Sequence, residues 1–203
     1  MDAIKTITLT DGKVLKIYQD ESPQNPRTEF DNITRMICFH NRYALGDNHS
    51  YKSGNYDSLD DLREQIMKDH NPVVIKPLWL YDHSGITIST GSFSCPWDSG
   101  QVGWVFISRE EAIKNWGKVE ESELKVLCGK AIDCDVETYD DYLTGNVFGY
   151  VLEKPVEKCD KCWCVPEPEE IESCWGFYGS NFKDNGILEN LSKEEREEVL
   201  AVI

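Results

Sequence analysis

The sequence lacks an excess of positive charge. Its 203 residues include 21 Lys and Arg against 37 Asp and Glu, which gives a formal net charge of −16. Proteins that bind nucleic acid or an anionic membrane directly present a basic patch to the phosphates. We therefore expect no direct binding to nucleic acid or to a membrane, and we expect a basic protein as the partner.

Long apolar runs are absent as well. No stretch approaches the roughly 20 apolar residues that a membrane-spanning helix needs. The opening residues, MDAIKTITLTDGK, show neither the basic nor the apolar segment of a secretory signal. With 40% hydrophobic and 11% aromatic residues, the chain still has enough apolar side chains for a core. These features predict a folded, cytoplasmic protein.

The familiar catalytic motifs are also missing: the sequence has no HExxH, no GxSxG, no phosphate-binding loop and no dinucleotide fingerprint. Cysteine, histidine and aspartate nevertheless recur in the first half, in the segments CFH, GDNH, YDHSG and CPWDSG. Such residues could supply a nucleophile, a base and an orienting carboxylate, or a mixed metal site built from His40, His49, His83 and Cys95. A core histidine and a tight turn at DHSG are the simpler interpretations. The candidates are Cys38, His40, Asp47, His49, Asp82, His83, Cys95 and Asp98.

The segment SFSCPWDSGQVGW is rich in turn-forming residues. Phe93, Cys95 and Trp97 alternate with polar residues as if one face were buried. A binding loop and a rigid connection between two strands are both compatible with this pattern.

Four of the eight cysteines fall within sixteen residues, CDKCWCVPEPEEIESC. Cysteines of a reducing compartment seldom form lasting disulfides, so close spacing favours metal binding. Two cysteines separated by two residues place both thiolates on one turn, as tetrahedral Zn²⁺ requires. We predict a structural zinc site, with a histidine or a distant cysteine as the alternative fourth ligand and a core position as the alternative for Cys174. The predicted ligands are Cys159, Cys162, Cys164 and Cys174.

Acidic residues are densest in the second half, in EESE, DCDVETYDD, EPEEIE and EEREE. Such clusters are either solvated faces or interaction surfaces. An acidic surface can compete with a polyanion for a basic groove. We predict that a partner is contacted by the cluster nearest the cysteines, through Glu167, Glu169, Glu170 and Glu172.

The hydrophobic pattern predicts a mixture of strands and helices without regular alternation, which is typical of an α+β protein. We expect one domain over 1–203, with a mostly antiparallel sheet, flanking helices and a zinc-knuckle hairpin whose tip lies at about 157–174. The predicted elements are a hairpin turning at Asp11-Gly12, an extended loop over QDESPQNPRTEFDN, a strand or short helix over ITRMICFHNRY, a helix over LDDLREQIMKDH, strands on both sides of 82–85, a strand over VGWVFIS, a helix over REEAIKNWG behind a Ser108/Glu111 capping box, a helix over 121–131, a separate turn or short helix over TYDDYLTG, strands over NVFGYVLEKPV and IESCWGFYG, and a final helix behind a Ser192/Glu195 capping box.

Four longer blocks carry a resemblance. NPRTEFDNITRMICFHNRYALGD, LWLYDHSGITISTGSFSCPWDSGQVGWVFISREE, VETYDDYLTGNVFGYVLE and SCWGFYGS resemble a family of uncharacterised proteins encoded by bacteriophages, prophages and conjugative elements. The resemblance extends from about residue 4 to residue 190 and supplies no catalytic residues. The chain departs from the family at EKCDKCWCVPEPEE, which makes Cys159, Cys162 and Cys164 a local elaboration.

The resemblance implies that the protein is encoded by a mobile element, and small acidic proteins of mobile elements often counter host defence. We therefore expect a non-enzymatic inhibitor in the host cytoplasm. Its target would be a host defence nuclease, with a type II CRISPR effector favoured over a restriction enzyme, as for anti-CRISPR proteins. The alternatives are a cysteine- or metal-dependent hydrolase using the Cys95/His83 region, and an accessory protein of phage replication or conjugation.

Overall fold

The computed structural model describes residues 2–156 and 167–203, and this part of the chain is α+β, as predicted. Its helices and strands, in chain order, are β1 (Lys5–Thr8), β2 (Val14–Gln19), α1 (Pro26–Glu29), β3 (Arg35–Cys38), α2 (Leu59–His70), β4 (Pro72–Asp82), β5 (Ile86–Ser89), β6 (Ser99–Ser108), α3 (Arg109–Trp116), α4 (Glu121–Thr144), β7 (Val147–Lys154), β8 (Glu169–Tyr178) and α5 (Lys193–Leu200), with short 3-10 turns at Ser53–Asn55 and Ile187–Asn190.

The strands form two antiparallel sheets of four, in the orders β1-β2-β7-β8 and β3-β6-β4-β5. The expectation of one sheet is therefore wrong: strands from both ends of the chain pair with each other, and the middle strands form their own sheet. Correspondingly, the chain groups into two compact units, unit 1 (Met1–Gln24 and Gly145–Ile203) and unit 2 (Asn25–Thr144). The single-domain organisation over 1–203 stays a prediction.

Unit 1 is built on the hairpin of β1 and β2, which turns at Asp11-Gly12 as predicted, with Gly12 at a φ of 86°. Inward side chains alternate with outward ones along the strands. Leu15 and Ile17 of β2 and Tyr150 of β7 are fully buried. They pack with residues of the 3-10 turn Ile187–Asn190 and of α5, so one face of the sheet is covered by helical elements.

Helix α5 is fastened by its own acidic residues. Ser192 and Glu195 form the predicted capping box, in which each side chain bonds the other residue's backbone N–H. Glu195 also accepts a hydrogen bond from Lys13 Nζ at 2.8 Å, and Glu198 accepts from the backbone and the hydroxyl of Thr10 at 2.7 and 2.6 Å. The acidic cluster EEREE therefore holds the helix against the β1–β2 hairpin.

Unit 2 has three layers, with helices on both faces of its sheet. The alternation of side chains along β6 shows why: Val105 and Ile107 pack into a cluster with residues of α4, whereas Trp104 and Phe106 pack with residues of α2. Strand β3 approaches β6 so closely at Gly103 that a Cβ there would lie 1.9 Å from the backbone oxygen of Ile37. Only glycine allows this approach.

Two helical segments differ from the sequence-based expectations. The predicted extended loop contains α1, whose first turn is capped by the Asn25 side chain and begins with Pro26. Helix α4 runs without a break over 24 residues, whereas a helix ending near 131 and a separate turn were expected. Gly129 lowers helix propensity, but the apolar spacing continues past it through Ile132, Val136 and Tyr139, all buried.

Within residues 2–156 and 167–203, no helix is both long enough and apolar enough to cross a bilayer.

Candidate functional site

The predicted contact residues lie on or next to β8, the edge strand of the sheet in unit 1. Glu169, Glu170 and Glu172 belong to the strand, Glu167 precedes it, and all four are exposed. The pairing with β7 shifts register twice, so that Ile171 and Gly176 are extra residues on the β8 side. Bulges and charged side chains are two devices by which an edge strand avoids unspecific pairing.

Three of these four carboxylates have a polar contact within unit 1. Glu169 lies 3.0 Å from Lys154 Nζ, Glu172 accepts a hydrogen bond from Tyr150 Oη at 2.8 Å, and Glu170 accepts one from Ser173 Oγ at 2.7 Å. Burial and the bond to Glu172 raise the pKa of Tyr150 well above its usual range, so its hydroxyl stays a donor. The hydroxyl of the buried Tyr150 therefore restrains Glu172, whereas the contacts of Glu169 and Glu170 are exposed to solvent.

An apolar patch accompanies the carboxylates on β8. Trp175 is 42% exposed, and its ring lies so close to Gly149 of β7 that a Cβ at Gly149 would be 2.2 Å from a ring carbon. The ring centroid of Tyr18 is 6.1 Å from that of Trp175. Ile171 is exposed as well. Carboxylates and an exposed indole on one strand are suited to a protein partner, because tryptophan is enriched among the strongest interface contacts.

The structure places Cys174 on β8, opposite Tyr150, where it packs against the core cluster of unit 1. Cys159, Cys162 and Cys164 lie outside the described residues. Among the residues that are described, no group of three or more His, Cys, Asp and Glu side chains could hold a metal ion. The zinc site stays a prediction.

The acidic cluster 133–141 on α4 has partners inside unit 2. Asp133 accepts a hydrogen bond from Lys76 Nζ at 2.6 Å, and Asp135 accepts one from Thr34 Oγ1 at 2.6 Å. Asp140 accepts the backbone N–H of Ile88 at 2.7 Å, and burial raises the pKa of its carboxyl. Of the two interpretations of this cluster, a structural role is the one that these contacts support.

Three of the candidate catalytic residues do come together in unit 2. The Oδ2 atom of Asp98 lies 3.1 Å from His83 Nδ1 and 3.6 Å from Cys95 Sγ. The carboxylate therefore stands between the thiol and the imidazole. A cysteine nucleophile is normally activated by a histidine that contacts its sulfur, and here both residues contact the aspartate instead.

The remaining histidines of the predicted mixed metal site have other partners. His40 Nδ1 accepts the backbone N–H groups of Arg42 and Tyr43 at 3.3 and 3.2 Å. His49 Nε2 lies 3.2 Å from the backbone oxygen of Cys38, which itself is buried. Burial, and then the charge of Asp47, raises the pKa of the Cys38 thiol to about 12, which makes it a poor nucleophile.

The sequence pattern predicted the wrong environment for Trp97, a residue of the candidate binding loop. Its predicted alternation with Phe93 implied a buried ring, but Trp97 is 92% exposed, whereas Phe93 packs beside Tyr81 at 5.7 Å between ring centroids. The turn Cys-Pro-Trp-Asp redirects the chain, so period-two alternation does not continue through it. Trp97 lines a cleft of about 440 Å³ together with Arg42, a residue that no motif in the sequence singles out.

No protein-family model matches this chain, and no curated protein or solved structure matches it either.

Proposed function

We propose that this chain is a non-enzymatic counter-defence protein of a mobile element, which inhibits a host defence nuclease by binding the surface that handles nucleic acid. A type II CRISPR effector is the favoured target. The observation that carries the proposal is the position of the four predicted glutamates. Glu169, Glu170 and Glu172 are exposed on the edge strand β8, and Glu167 is exposed just before that strand begins.

The physical basis is electrostatic. The channels of such nucleases are basic because they bind phosphates, and CRISPR effectors hold their heteroduplex in a positively charged channel. A protein with a net charge of −16 is attracted to such a surface over a long range, which raises the association rate. A carboxylate that is already restrained by a buried neighbour, like Glu172, loses little side-chain entropy on docking.

Zinc has an indirect role in this proposal. Cys159, Cys162 and Cys164 lie just before the acidic residues in the sequence, so a bound Zn²⁺ would fix the chain that leads into β8. Elemental analysis of the purified protein and of a Cys159→Ser/Cys162→Ser variant tests this directly. We expect one zinc per chain in the wild type and a loss of that zinc in the variant.

The binding surface is tested by neutralising its charge with shape preserved. We would replace Glu167, Glu169, Glu170 and Glu172 together by Gln, and measure affinity for a type II CRISPR effector and inhibition of its DNA cleavage. We expect affinity to fall by at least about tenfold, with a weaker dependence on salt.

The matched control removes the same charge from exposed positions elsewhere in unit 1. Its four substitutions are Asp2→Asn, Glu189→Gln, Glu194→Gln and Glu197→Gln. The proposal fails if the β8 variant binds and inhibits like the wild type, or if the control loses as much affinity as the β8 variant.

A hydrolase is the second candidate, and the contact of Asp98 with both Cys95 and His83 is the observation that favours it. Cys95→Ser and His83→Ala separate the two functions. If the cellular effect disappears in both variants while partner binding and folding persist, the protein acts as an enzyme. If the effect is retained, the hydrolase interpretation is excluded.

A further inference from the structure

The cleft in unit 2 lies where the segment after β3 faces the start of β6. Apolar side chains such as Phe39 and Leu80 form part of its lining, and Asp82, Asp98 and Arg42 supply charge. All its lining residues belong to unit 2, whereas the acidic strand β8 belongs to unit 1. An inference about this cleft therefore does not depend on the function proposed for β8.

The loop that carries Trp97 is fixed on both sides of the indole. Ser99 Oγ donates a hydrogen bond to the backbone oxygen of Cys95 at 2.6 Å, and the backbone N–H of Asp82 donates to the backbone oxygen of Asp98 at 2.8 Å. The Asp98 carboxylate accepts from Cys95 and His83 as described above. These contacts fix the backbone on both sides of Trp97, so little backbone order remains to be gained when a ligand binds.

Arg42 lines the cleft and shows how this part of unit 2 already holds a guanidinium. The Cζ atom of Arg42 lies 5.4 Å from the centroid of the Tyr43 ring, and its Nη2 atom forms an ion pair with Asp82. The recognition elements are thus an aromatic face and a carboxylate. Trp97 and Asp98 are neighbours in sequence and present the same two elements to the cleft, with tryptophan as the stronger cation–π partner.

The charges around the cleft favour a cation as the ligand of Trp97 and Asp98. Arg42 compensates the charge of Asp82, whereas the contacts of Asp98 come from an imidazole and a thiol. Both of these contacts use Oδ2, so among the described residues Oδ1 is left for a further donor. A nucleotide base could also stack on Trp97, but its phosphates would be repelled by a protein of net charge −16.

The shape of the cationic group favours arginine over lysine as this ligand. A guanidinium is planar, so one group can stack on an indole face while its N–H donors point sideways to a carboxylate. An ammonium is compact and strongly hydrated, and it cannot lie flat on a ring. We propose that Trp97 and Asp98 form a binding site for an arginine side chain of a basic partner protein.

The test uses single amino-acid probes on the full-length protein. We would titrate the acetylated amides of arginine, lysine and citrulline and follow the indole N–H resonances of the six tryptophans by NMR. Loss of one resonance in Trp97→Phe assigns the reporter. Citrulline has the shape of arginine without its charge, so it separates cation binding from stacking of a flat group.

We expect a saturable shift of the Trp97 resonance with arginine, in the millimolar range, and weaker shifts with lysine and citrulline. Asp98→Asn should weaken arginine binding by about fivefold or more, since a cation–carboxylate contact is lost. Trp97→Ala, followed through neighbouring backbone resonances, should do the same. Asp57→Asn, an exposed carboxylate of the same unit, is the matched control and should leave binding unchanged.

The inference is overturned if citrulline or lysine binds as well as arginine, or if no probe shifts the Trp97 resonance. It is also overturned if Trp97→Ala, whose exposed side chain leaves the fold intact, binds arginine like the wild type. Backbone spectra report whether Asp98→Asn remains folded. If this variant is unfolded, arginine binding by Trp97→Ala alone decides whether the inference holds.

Discussion

Unit 1 contains 17 acidic and 9 basic residues, and unit 2 contains 20 acidic and 12 basic residues, so each carries a formal net charge of −8. They use this charge in different ways. In unit 2, Asp47, Asp135 and Asp140 bond to side chains and backbone of neighbouring elements. In unit 1, a group of carboxylates is displayed on the exposed edge strand β8.

The strongest contrast to β8 is the ion pair of Arg27 and Asp47 in unit 2. The Arg27 side chain is 1% exposed, and its Nε and Nη2 atoms donate to the two oxygens of Asp47 at 2.8 and 2.9 Å. Arg27 also donates to Thr34, and Asp47 also accepts the backbone N–H of Met36. Net charge alone therefore does not locate a binding surface, because two units of equal charge can differ in whether a given carboxylate, such as Asp47 or Glu170, is held by another element or exposed on an edge strand.

Breaking this ion pair gives the largest expected effect. Arg27→Met leaves the Asp47 carboxylate in place without its cation, and we expect the free energy of unfolding to fall by about 3–5 kcal/mol. Urea denaturation measures this. Lys114→Met, at an exposed lysine, should change stability by less than about 1 kcal/mol. A loss below about 1 kcal/mol in Arg27→Met would show that the pair does not stabilise unit 2.

Close packing in unit 1 gives the next largest effect. In Gly149→Ala, the added Cβ would meet the Trp175 ring, so we expect a loss of about 1–3 kcal/mol. Trp175→Ala removes the ring that the new Cβ would meet. We therefore expect Gly149→Ala to lower the free energy of unfolding less in the Trp175→Ala background than in the wild type. Equal effects of the alanine in both backgrounds would contradict the predicted contact.

The pH dependence of unit 1 is a smaller effect. Hydrogen bonds from Lys13 and from Ser192 lower the pKa of Glu195 below its ordinary value of 4.5. Its ionised form therefore stabilises the fold at and above pH 4.5, and this contribution is lost as the pH falls through the lower, folded-state value. We expect Glu195→Gln to be less stable than the wild type at neutral pH, and the difference to shrink on acidification. A difference that grows toward low pH would contradict the assignment.

Removal of the β8 charges should have the smallest effect on folding. We expect the fourfold Glu→Gln variant at 167, 169, 170 and 172 to unfold within about 1 kcal/mol of the wild type, because exposed ion pairs contribute little. Thermal and urea unfolding check this. A large loss of stability would show that these carboxylates serve the fold, as those of unit 2 do, and would remove the sharpest difference between the two units.

Local structure was largely determined by the sequence. The turn at Asp11-Gly12, the helix over LDDLREQIMKDH and the capping box of Ser192 and Glu195 all occur as predicted. These features depend on backbone preferences and on hydrogen bonds within a few residues, so the residues adjacent in sequence suffice to predict them. The acidic composition was also evident, and the sequence placed Cys95, His83 and Asp98 among eight candidate residues, but only the structure showed that these three are in contact.

Only the tertiary structure decided which strands pair and which charges remain outside. Strand β2 pairs with β7, more than 120 residues later in the chain, and this divides the strands into two sheets. Asp135 is bonded to Thr34 in a distant segment, whereas Glu170 accepts a hydrogen bond from Ser173 on its own strand. Sequence patterns report the chemistry of each residue, but contacts between distant segments set its surroundings, as the burial of Arg27 against Asp47 shows.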